Sequence, residues 1–288
     1  MIPAAFDYYR AKSIQEAFFA KQQAGADAKW IAGGHSLLPM MKLRLATPPA
    51  LIDINEIDGL SGIRLQADGL VIGALTHHAE IAHSEEVVRT WPLLAQAAGL
   101  IGDRQVRNRG TIGGNLAHAD PASDLPAVAL ALEATLVAEG PSGRREIPAS
   151  EFFVGPMTTA LSDDELLTQV RFPVPSGKVG SFYCKYPHPA SGYAVVGVAA
   201  VAQLGPDGKF QAVRVGVTGV GMWAYRAETT EKELVGKLPT QENIASAAQH
   251  AVDETDVSQD LFASEQYRTH LAALYTVKAL QAAVQAIQ

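Results

Sequence analysis

Helix-like and strand-like patterns of apolar positions alternate along the first 60 residues. Ser13 and Glu16 have the S-x-x-E spacing of a capping box, which predicts a helix through EAFFAKQQ that stops at Gly25. The apolar runs AKWIA and ALIDIN follow as strands, separated by a glycine pair and the helix-like run LLPMMKLRLA. This order predicts a small βαβ unit with at least partly parallel strand pairing.

From residue 61 onward the pattern changes to that of an α+β region. Two hairpins are predicted: GIRLQ pairs with LVIGAL through the turn Asp68-Gly69, and ATLVAEG pairs with RREIPA around the turn PSG. Between the hairpins lie the apolar helix WPLLAQAAGLI and a second helix, LPAVALALEA, which Asp124 is placed to cap.

A further unit is predicted after VRFPVPSGKVG, where prolines and glycines interrupt the chain. SFYCKY, AVVGVAAVAQL and FQAVRVGVTGV indicate a three-stranded antiparallel sheet, and the helical spacings of TQENIASAAQHAVDE and SEQYRTHLAALYTVKALQAAVQAI follow it. We therefore expect one domain over 1–177, with subdomains of about 1–60 and 61–177, and a C-terminal sheet-plus-helix domain over 178–288.

Composition indicates a folded globular chain and narrows its partners. Of the 288 residues, 48% are hydrophobic and 18% are charged, and the formal net charge is −7. Nucleic acid and anionic membranes require a basic surface, so we expect small molecules or proteins as partners instead. The N-terminus has no signal-peptide pattern and the chain has no run of 18 apolar residues, which predicts a cytoplasmic protein without membrane insertion.

Cysteine and histidine usage argues against a metal site within the chain. The single cysteine, Cys184, excludes internal disulfides and any cluster held by several thiolates of this chain. His77, His78 and His83 have no carboxylate or cysteine companions at ligand spacing, so no metal is expected. The G-x-S-x-G motif is absent, and no catalytic residue is predicted.

Two glycine-rich segments are the candidate binding elements. The first, AGGHS at residues 32–36, stands between a predicted strand and a predicted helix, where consecutive glycines let backbone amides converge on an anion. The same segment also suits a tight strand-to-helix turn that binds no ligand.

The second segment, TIGGN at residues 111–115, offers a similar nest with hydroxyl and amide side chains beside it. Two separated nests fit a long diphosphate ligand better than a compact one, and Asp124 would accept hydrogen bonds from a polyol, unless it serves only as a helix cap. The preceding Arg104, Arg107 and Arg109 would neutralise phosphate, or would form surface ion pairs or a partner contact.

Together AGGHS, RNRGTIGGNLAHADPASDLP and the opening MIPAAFDYYRAKS resemble the FAD-binding medium subunit of molybdenum hydroxylases, the family of aerobic carbon monoxide dehydrogenase and xanthine dehydrogenase. The resemblance covers essentially the whole chain. It implies an α+β protein with an FAD-binding fold of the PCMH/vanillyl-alcohol-oxidase type, built of two α/β subdomains, followed by the C-terminal sheet with helices.

The resemblance also implies which residues hold the cofactor. The two glycine segments would bind the FAD diphosphate, and Asp124 would bind its polyol portion. Leu167 would line the isoalloxazine, Lys185 would approach the polar edge of the ring, and Tyr193 would cover one face. The implied set is Ala32, Gly33, Gly34, His35, Ser36, Thr111, Ile112, Gly113, Gly114, Asn115, Asp124, Leu167, Lys185 and Tyr193. The stretch YPHPASGY departs from the basic KRK-x-GDY run of carbon monoxide dehydrogenase relatives.

The function implied by the resemblance is electron transfer within a complex. A large subunit with a molybdenum cofactor would oxidise the substrate, and a small subunit with two [2Fe–2S] clusters would relay electrons to the FAD of this chain. The external acceptor would be quinone or NAD⁺, and the complex would be a dimer of heterotrimers. Two alternatives stay open, namely an assembly subunit whose flavin site fills only in the complex and a stand-alone flavin oxidase.

Overall fold

The computed structural model describes residues 2–67 and 69–287, and its first subdomain is a parallel three-stranded sheet with two helices. Its elements are β1 (Asp7–Arg10), α1 (Ile14–Ala24), β2 (Lys29–Ile31), α2 (Leu37–Lys42) and β3 (Ala50–Asp53). β1 and β2 both pair in parallel with β3, which confirms the predicted parallel unit. The strand β1 was not anticipated, because its four residues are all exposed and show no apolar alternation.

The predicted ends of α1 are confirmed. The Ser13 hydroxyl accepts a hydrogen bond from the Glu16 amide at 3.1 Å, and Gly25 ends the helix with φ of +88°. The Glu16 carboxylate accepts from the Lys12 amide at 2.8 Å, one residue before the position that a capping box requires.

The middle of the chain forms a five-stranded antiparallel sheet that is covered by helices. Its elements are β4 (Ile63–Gln66), β5 (Gly69–Gly73), α3 (His78–His83), α4 (Glu85–Thr90), α5 (Pro92–Gly99), α6 (Arg104–Arg107), α7 (Ile112–His118), α8 (Asp124–Ala131), β6 (Thr135–Gly140), β7 (Gly143–Pro148), α9 (Ala149–Phe152), β8 (Phe153–Gly155), β9 (Thr158–Thr159) and β10 (Leu166–Phe172). The strand order is β4-β5-β10-β6-β7, and β8 and β9 form a separate two-stranded ribbon.

Both predicted hairpins are present in this sheet. β4 pairs antiparallel with β5 and β6 pairs antiparallel with β7, although Asp68, in the first predicted turn, lies outside the described residues. The central strand β10, which joins the two hairpins into one sheet, was not predicted. Its sequence runs directly into the proline-rich VRFPVPSG, and the sequence pattern indicated a break there.

The C-terminal part is a four-stranded antiparallel sheet packed against helices. Its elements are β11 (Lys178–Pro187), β12 (Ala194–Leu204), β13 (Phe210–Thr218), β14 (Tyr225–Arg226), α10 (Glu228–Leu234), α11 (Gln241–Ala247), a 3₁₀ turn (Ala248–His250) and α12 (Glu265–Gln285). The three long strands are as predicted, but the prediction of only three strands was wrong. The fourth, β14, contains two residues, too few for a periodic pattern.

Helix α8 joins the central region to the C-terminal sheet. Every residue of α8 is buried, and the helix packs against β12 and β13. At Gly216 in β13 an added Cβ would lie 2.0 Å from the Ala127 carbonyl oxygen, so the helix backbone rests directly on the sheet. No helix of residues 2–67 and 69–287 combines the length and apolar character that crossing a bilayer requires.

We expect Gly216→Ala to lower the free energy of unfolding by ~1–3 kcal/mol, because the new methyl group forces α8 away from β13. Urea unfolding followed by circular dichroism measures the loss. Gly99→Ala is the control, since its Cβ would lie 3.9 Å from the nearest atom outside its own helix. Equal stability of the two variants would contradict the assigned contact.

Candidate functional site

A cleft of about 810 Å³ lies where the first subdomain, the central sheet and a loop of the C-terminal domain meet. This volume falls within the ~300–1,000 Å³ typical of small-molecule sites. Of the residues implied by the family resemblance, twelve line the cleft: Ala32, Gly33, Gly34, His35, Ser36, Thr111, Gly113, Gly114, Asn115, Asp124, Leu167 and Tyr193. The structure thus brings together both glycine segments, the start of α8, strand β10 and the loop before β12.

The first glycine segment, residues 32–36, connects β2 to α2. Gly34 has φ of +73°, a left-handed conformation that glycine adopts without strain. The backbone amides of residues 33–36 donate to no acceptor within the described residues. The Asn55 side chain fixes the segment by donating to the Ala32 carbonyl at 3.0 Å. The segment therefore offers unpaired donors to the cleft, as an anion site requires.

The first glycine segment touches, backbone to backbone, the chain that leads directly into the second. An added Cβ at Gly33 would lie 2.1 Å from the Arg109 carbonyl oxygen and 2.9 Å from Gly110 Cα. Only a residue without a side chain permits this approach. The two segments, both expected to bind one diphosphate, therefore lie next to each other in the structure.

The second glycine segment, residues 111–115, does not form the predicted nest of free amides. The Ile112 amide donates to the Thr76 carbonyl at 3.0 Å, and the Gly113 amide donates to the Ala74 carbonyl at 2.8 Å. The Gly114 amide donates to the Thr111 hydroxyl, which caps α7, and the Asn115 amide donates within that helix. The expectation of a second amide nest was therefore wrong, because these donors anchor α7 to the end of β5.

What the second segment supplies is a closely packed wall. An added Cβ at Gly113 would lie 2.5 Å from the Ala74 Cβ, so α7 presses against the chain that leaves β5. The Asn115 side chain accepts a hydrogen bond from the Ser123 hydroxyl at 2.8 Å, which joins α7 to the start of α8. Asn115 and Ser123 both line the cleft.

Asp124 does not cap α8, contrary to the helix-cap alternative. The N-cap is Ser123, and Asp124 is the first helical residue. Its carboxylate accepts a hydrogen bond from the Tyr183 hydroxyl at 2.5 Å and from Lys185 Nζ at 2.8 Å. Burial raises the pKa of the Asp124 carboxyl, and bonding to Lys185 and Tyr183 opposes that rise by favouring the ionised form.

Lys185 and Ile112 lie behind the cleft wall and do not line the cleft. The Lys185 side chain is only 3% exposed, and its ammonium also donates to the Leu100 carbonyl at 3.1 Å. Ile112 is packed in the hydrophobic core of the central region. Lys185 does not touch the cleft itself. It is linked to the cleft only by its ion pair with Asp124, which lines the wall.

Leu167 and Tyr193 form apolar and aromatic parts of the wall. Leu167 is buried in β10, next to a shift in the strand register between Leu167 and Gln169. Tyr193 belongs to the loop between β11 and β12 and is 42% exposed. Burial of the ring raises the pKa of Tyr193, and the nearby Ser36 hydroxyl partly offsets that rise. The C-terminal loop thus reaches across to the first glycine segment.

Three histidines line the cleft: His35, His78 and His118. His35 Nδ1 lies 2.9 Å from the Gly33 carbonyl, and it carries the hydrogen because a carbonyl only accepts. Burial is the main cause that lowers the pKa of His78 to about 4 and the pKa of His118 below its usual range. Sequence reasoning assigned no role in the site to His78 or His118, since a lone histidine beside a helix carries no distinctive pattern.

Arg104, Arg107 and Arg109, which precede the second glycine segment, do not form the surface ion pairs that one alternative predicted. Arg107 donates to the carbonyls of Ile101 and Gly102, at 2.9 Å and 3.0 Å. Arg104 and Arg109 are exposed, and none of the three arginines forms an ion pair with any described residue. Positive charge without an ion-pair partner among the described residues therefore lies close in sequence to Gly102, Val106 and Gly110, which line the cleft.

No group of three or more His, Cys, Asp or Glu side chains within residues 2–67 and 69–287 is arranged to hold a metal ion. The cleft instead combines free amides, small residues and an aromatic ring, with Lys29 among its lining residues. This combination suits an anionic ligand that also carries a planar or apolar portion.

Comparison with known proteins gives matches along nearly the whole chain. Residues 4–175 match the family described as FAD binding domain in molybdopterin dehydrogenase, and residues 181–283 match the CO dehydrogenase flavoprotein C-terminal domain. The carbon monoxide dehydrogenase medium chain of Hydrogenophaga pseudoflava is 43% identical over 98% of both chains. The 6-hydroxypseudooxynicotine dehydrogenase complex subunit alpha of Paenarthrobacter nicotinovorans is 38% identical over 94% of this chain and 92% of its own.

A solved structure of carbon monoxide dehydrogenase from Hydrogenophaga pseudoflava, lacking the Mo-pyranopterin moiety of the molybdenum cofactor, has a chain of the same fold. Its TM-score with this chain is 0.96 at 43% identity, and the alignment covers 100% of each. The match confirms the fold class expected from the sequence.

We expect Lys185→Met to lower the free energy of unfolding by ~3–5 kcal/mol, because it leaves the Asp124 carboxylate buried without its cation. Urea unfolding at neutral pH measures the change, and adding Asp124→Asn to the same chain is expected to restore part of the loss. Lys232→Met is the control, since Lys232 is 74% exposed in its pair with Glu228, and no measurable change is expected. A loss at Lys185 no larger than at Lys232 would refute the role of the buried pair.

Proposed function

The chain belongs to the family of FAD-binding medium subunits of molybdenum hydroxylases, and we propose that it carries electrons from the [2Fe–2S] clusters of a partner subunit, through FAD in this cleft, to an external acceptor. It is an oxidoreductase subunit, as the sequence motifs predicted. Quinone and NAD⁺ are the two acceptor classes that we propose.

One observation supports the location of the cofactor above all others. The Gly33 backbone rests on the backbone of Arg109 and Gly110, and the unpaired amides of residues 33–36 face the cleft beside that contact. A diphosphate needs several amide donors and no competing side chain, and this segment provides both. We propose that residues 32–36 hold the diphosphate, and that residues 111–115 form the wall against which it packs.

The remaining wall residues suit the other portions of FAD. Leu167 and Tyr193 offer an apolar surface and an aromatic ring to the isoalloxazine, and Asp124 and Asn115 offer acceptors to its polyol portion. Lys185 and Tyr183 hold the Asp124 carboxylate in place from behind. We propose Lys185 as a group that acts on the cofactor through Asp124.

The chain's own residues position and shield the cofactor. FAD supplies the redox chemistry when bound, and electron transfer needs no general acid or base. Tyr193 lies beside Ser36 in the cleft wall, so the loop of the C-terminal domain reaches the first glycine segment.

We propose a complex with a large molybdenum-cofactor subunit and a small [2Fe–2S] subunit, assembled as a dimer of heterotrimers. With one cysteine, the chain lacks the thiolates for a cluster of its own, so iron–sulfur centres belong to another polypeptide. Relatives of this chain are named for carbon monoxide and for 6-hydroxypseudooxynicotine, two chemically unrelated substrates. We therefore assign substrate recognition to the large subunit.

Purified chain is expected to show flavin absorbance, and Gly33→Ala is expected to weaken FAD binding about ten- to a hundredfold. The added Cβ overlaps the Arg109 carbonyl and separates the two segments. This costs ~1–3 kcal/mol of FAD binding free energy. A titration of FAD into stripped protein, followed by flavin fluorescence, measures the affinity.

Gly155→Ala is the matched control for that titration. Its Cβ would lie 3.7 Å from Thr158, at ordinary contact distance and away from the cleft. Unchanged FAD affinity in Gly33→Ala would place the cofactor elsewhere.

The electron path has a separate test in the complete complex. When the small [2Fe–2S] subunit is removed, substrate is expected to leave the flavin oxidised, and adding the subunit back is expected to restore flavin reduction. Stopped-flow absorbance of the flavin reports both states. Reduction at an unchanged rate without the small subunit would rule out the proposed relay.

A further inference from the structure

His78 is a buried polar group of the cleft wall that the proposed function does not use. The residue is 2% exposed, and its Nδ1 has no hydrogen-bond partner within the described residues. Its backbone amide donates to the Gly110 carbonyl at 3.0 Å, and its ring lies so close to Gly110 that a Cβ there would come within 2.9 Å of Nε2. His78 is thus fixed against the junction of the two glycine segments.

The titratable side chains that act on the His78 ring are all basic, and of these Arg107 is always protonated. His35 approaches from the first glycine segment, Arg107 from α6, and His77 precedes it at the start of α3. Burial, followed by these three neighbours, lowers the pKa of His78 to about 4, so the ring is neutral at physiological pH.

The other elements packed against α3 supply no opposing anion. α5 has no titratable side chain, and α4 contributes Glu85, Glu86 and Arg89, none of which acts on the ring. Glu80, on α3 itself, accepts from the His77 amide at 2.9 Å. The side chains that act on His78 are therefore basic, and none of them is an anion.

Resting on the proposed function, we propose that His78 takes up one proton from solvent when the FAD diphosphate enters the cleft, so that the bound cofactor faces an imidazolium. The proton adds to a ring nitrogen, no covalent bond of the cofactor changes, and no electron moves. The cause is electrostatic, because a ligand with two negative charges favours the imidazolium form, which burial and then the basic neighbours disfavour in the free chain.

This proton uptake links cofactor affinity to pH. The FAD-bound state binds one proton more than the free chain, so FAD affinity is highest in acid and falls as pH rises through the raised pKa of bound His78. Between the free-state pKa of about 4 and the bound-state pKa, the slope approaches about tenfold per pH unit. A variant with a non-titrating side chain at position 78 is expected to lack this dependence of FAD affinity on pH.

The experiment is a calorimetric titration of FAD into the full chain stripped of flavin. Repeating it at about pH 6 in buffers of different ionisation enthalpy gives the number of protons taken up, which we expect to approach one. His78→Gln keeps a polar group but does not titrate, and it is expected to abolish the uptake and flatten the pH dependence of affinity. His83→Gln, an exposed position on the same helix, is the control and is expected to retain both.

His118→Gln separates His78 from the other buried histidine of the cleft. Loss of proton uptake in His118→Gln, with uptake intact in His78→Gln, would overturn the assignment to His78. FAD binding by the wild-type chain without proton uptake would overturn this inference and leave the proposed function in place. Absence of FAD binding altogether would overturn both.

If the His78→Gln variant does not fold, the proposal can still be tested on the unmodified chain. In a chain with labelled histidines, one of the eight ring signals is expected to titrate near pH 4 without FAD and at higher pH with FAD. A set of histidine signals whose titration does not change on FAD binding would refute the proposal.

Discussion

The site depends on one close approach between backbones, that of Gly33 with Arg109 and Gly110. With no side chain between them, the segment that leaves β2 and the segment that enters α7 come into direct contact. This contact fixes the first subdomain against the central sheet and defines the floor of the cleft. The amides of residues 33–36, beside this contact, have no partner among the described residues and are the donors that we propose for the diphosphate.

The C-terminal domain is the third component of the site. β11 contributes Tyr183 and Lys185, which reach the Asp124 carboxylate at the start of α8. The helix dipole favours a negative charge at that end of α8, and the Lys185 ammonium adds to this effect. The loop with Tyr193 reaches Ser36 of the first glycine segment and lines the cleft beside it. The cleft is therefore complete only when both domains are folded and docked.

Local charge, and not the net charge of the chain, decides what the cleft attracts. The chain carries −7 overall, yet the groups around the junction of the glycine segments are basic, and Arg104, Arg107 and Arg109 form no ion pairs among the described residues. The free amides of residues 33–36 and the nearby Arg107 favour an anion at this junction, although Asp27, Asp124 and Glu165 also line the cleft. An acidic net charge of the chain therefore does not argue against the anionic ligand that we propose for this cleft.

The sequence by itself determined the features that depend on neighbours along the chain. The cap at Ser13, both hairpins, the parallel N-terminal unit and the position of the two glycine segments follow from local spacing and backbone freedom, and the combined motifs identified the family. Interactions between distant residues were decided only in the tertiary structure. In the folded chain, β10 lies in the middle of its sheet and the Gly113 amide anchors α7. Lys185 is paired with Asp124, and His78 is buried in the cleft wall. Each of these partners lies far away in sequence, and hydrogen bonding, burial and pKa depend on which groups packing brings within a few ångströms.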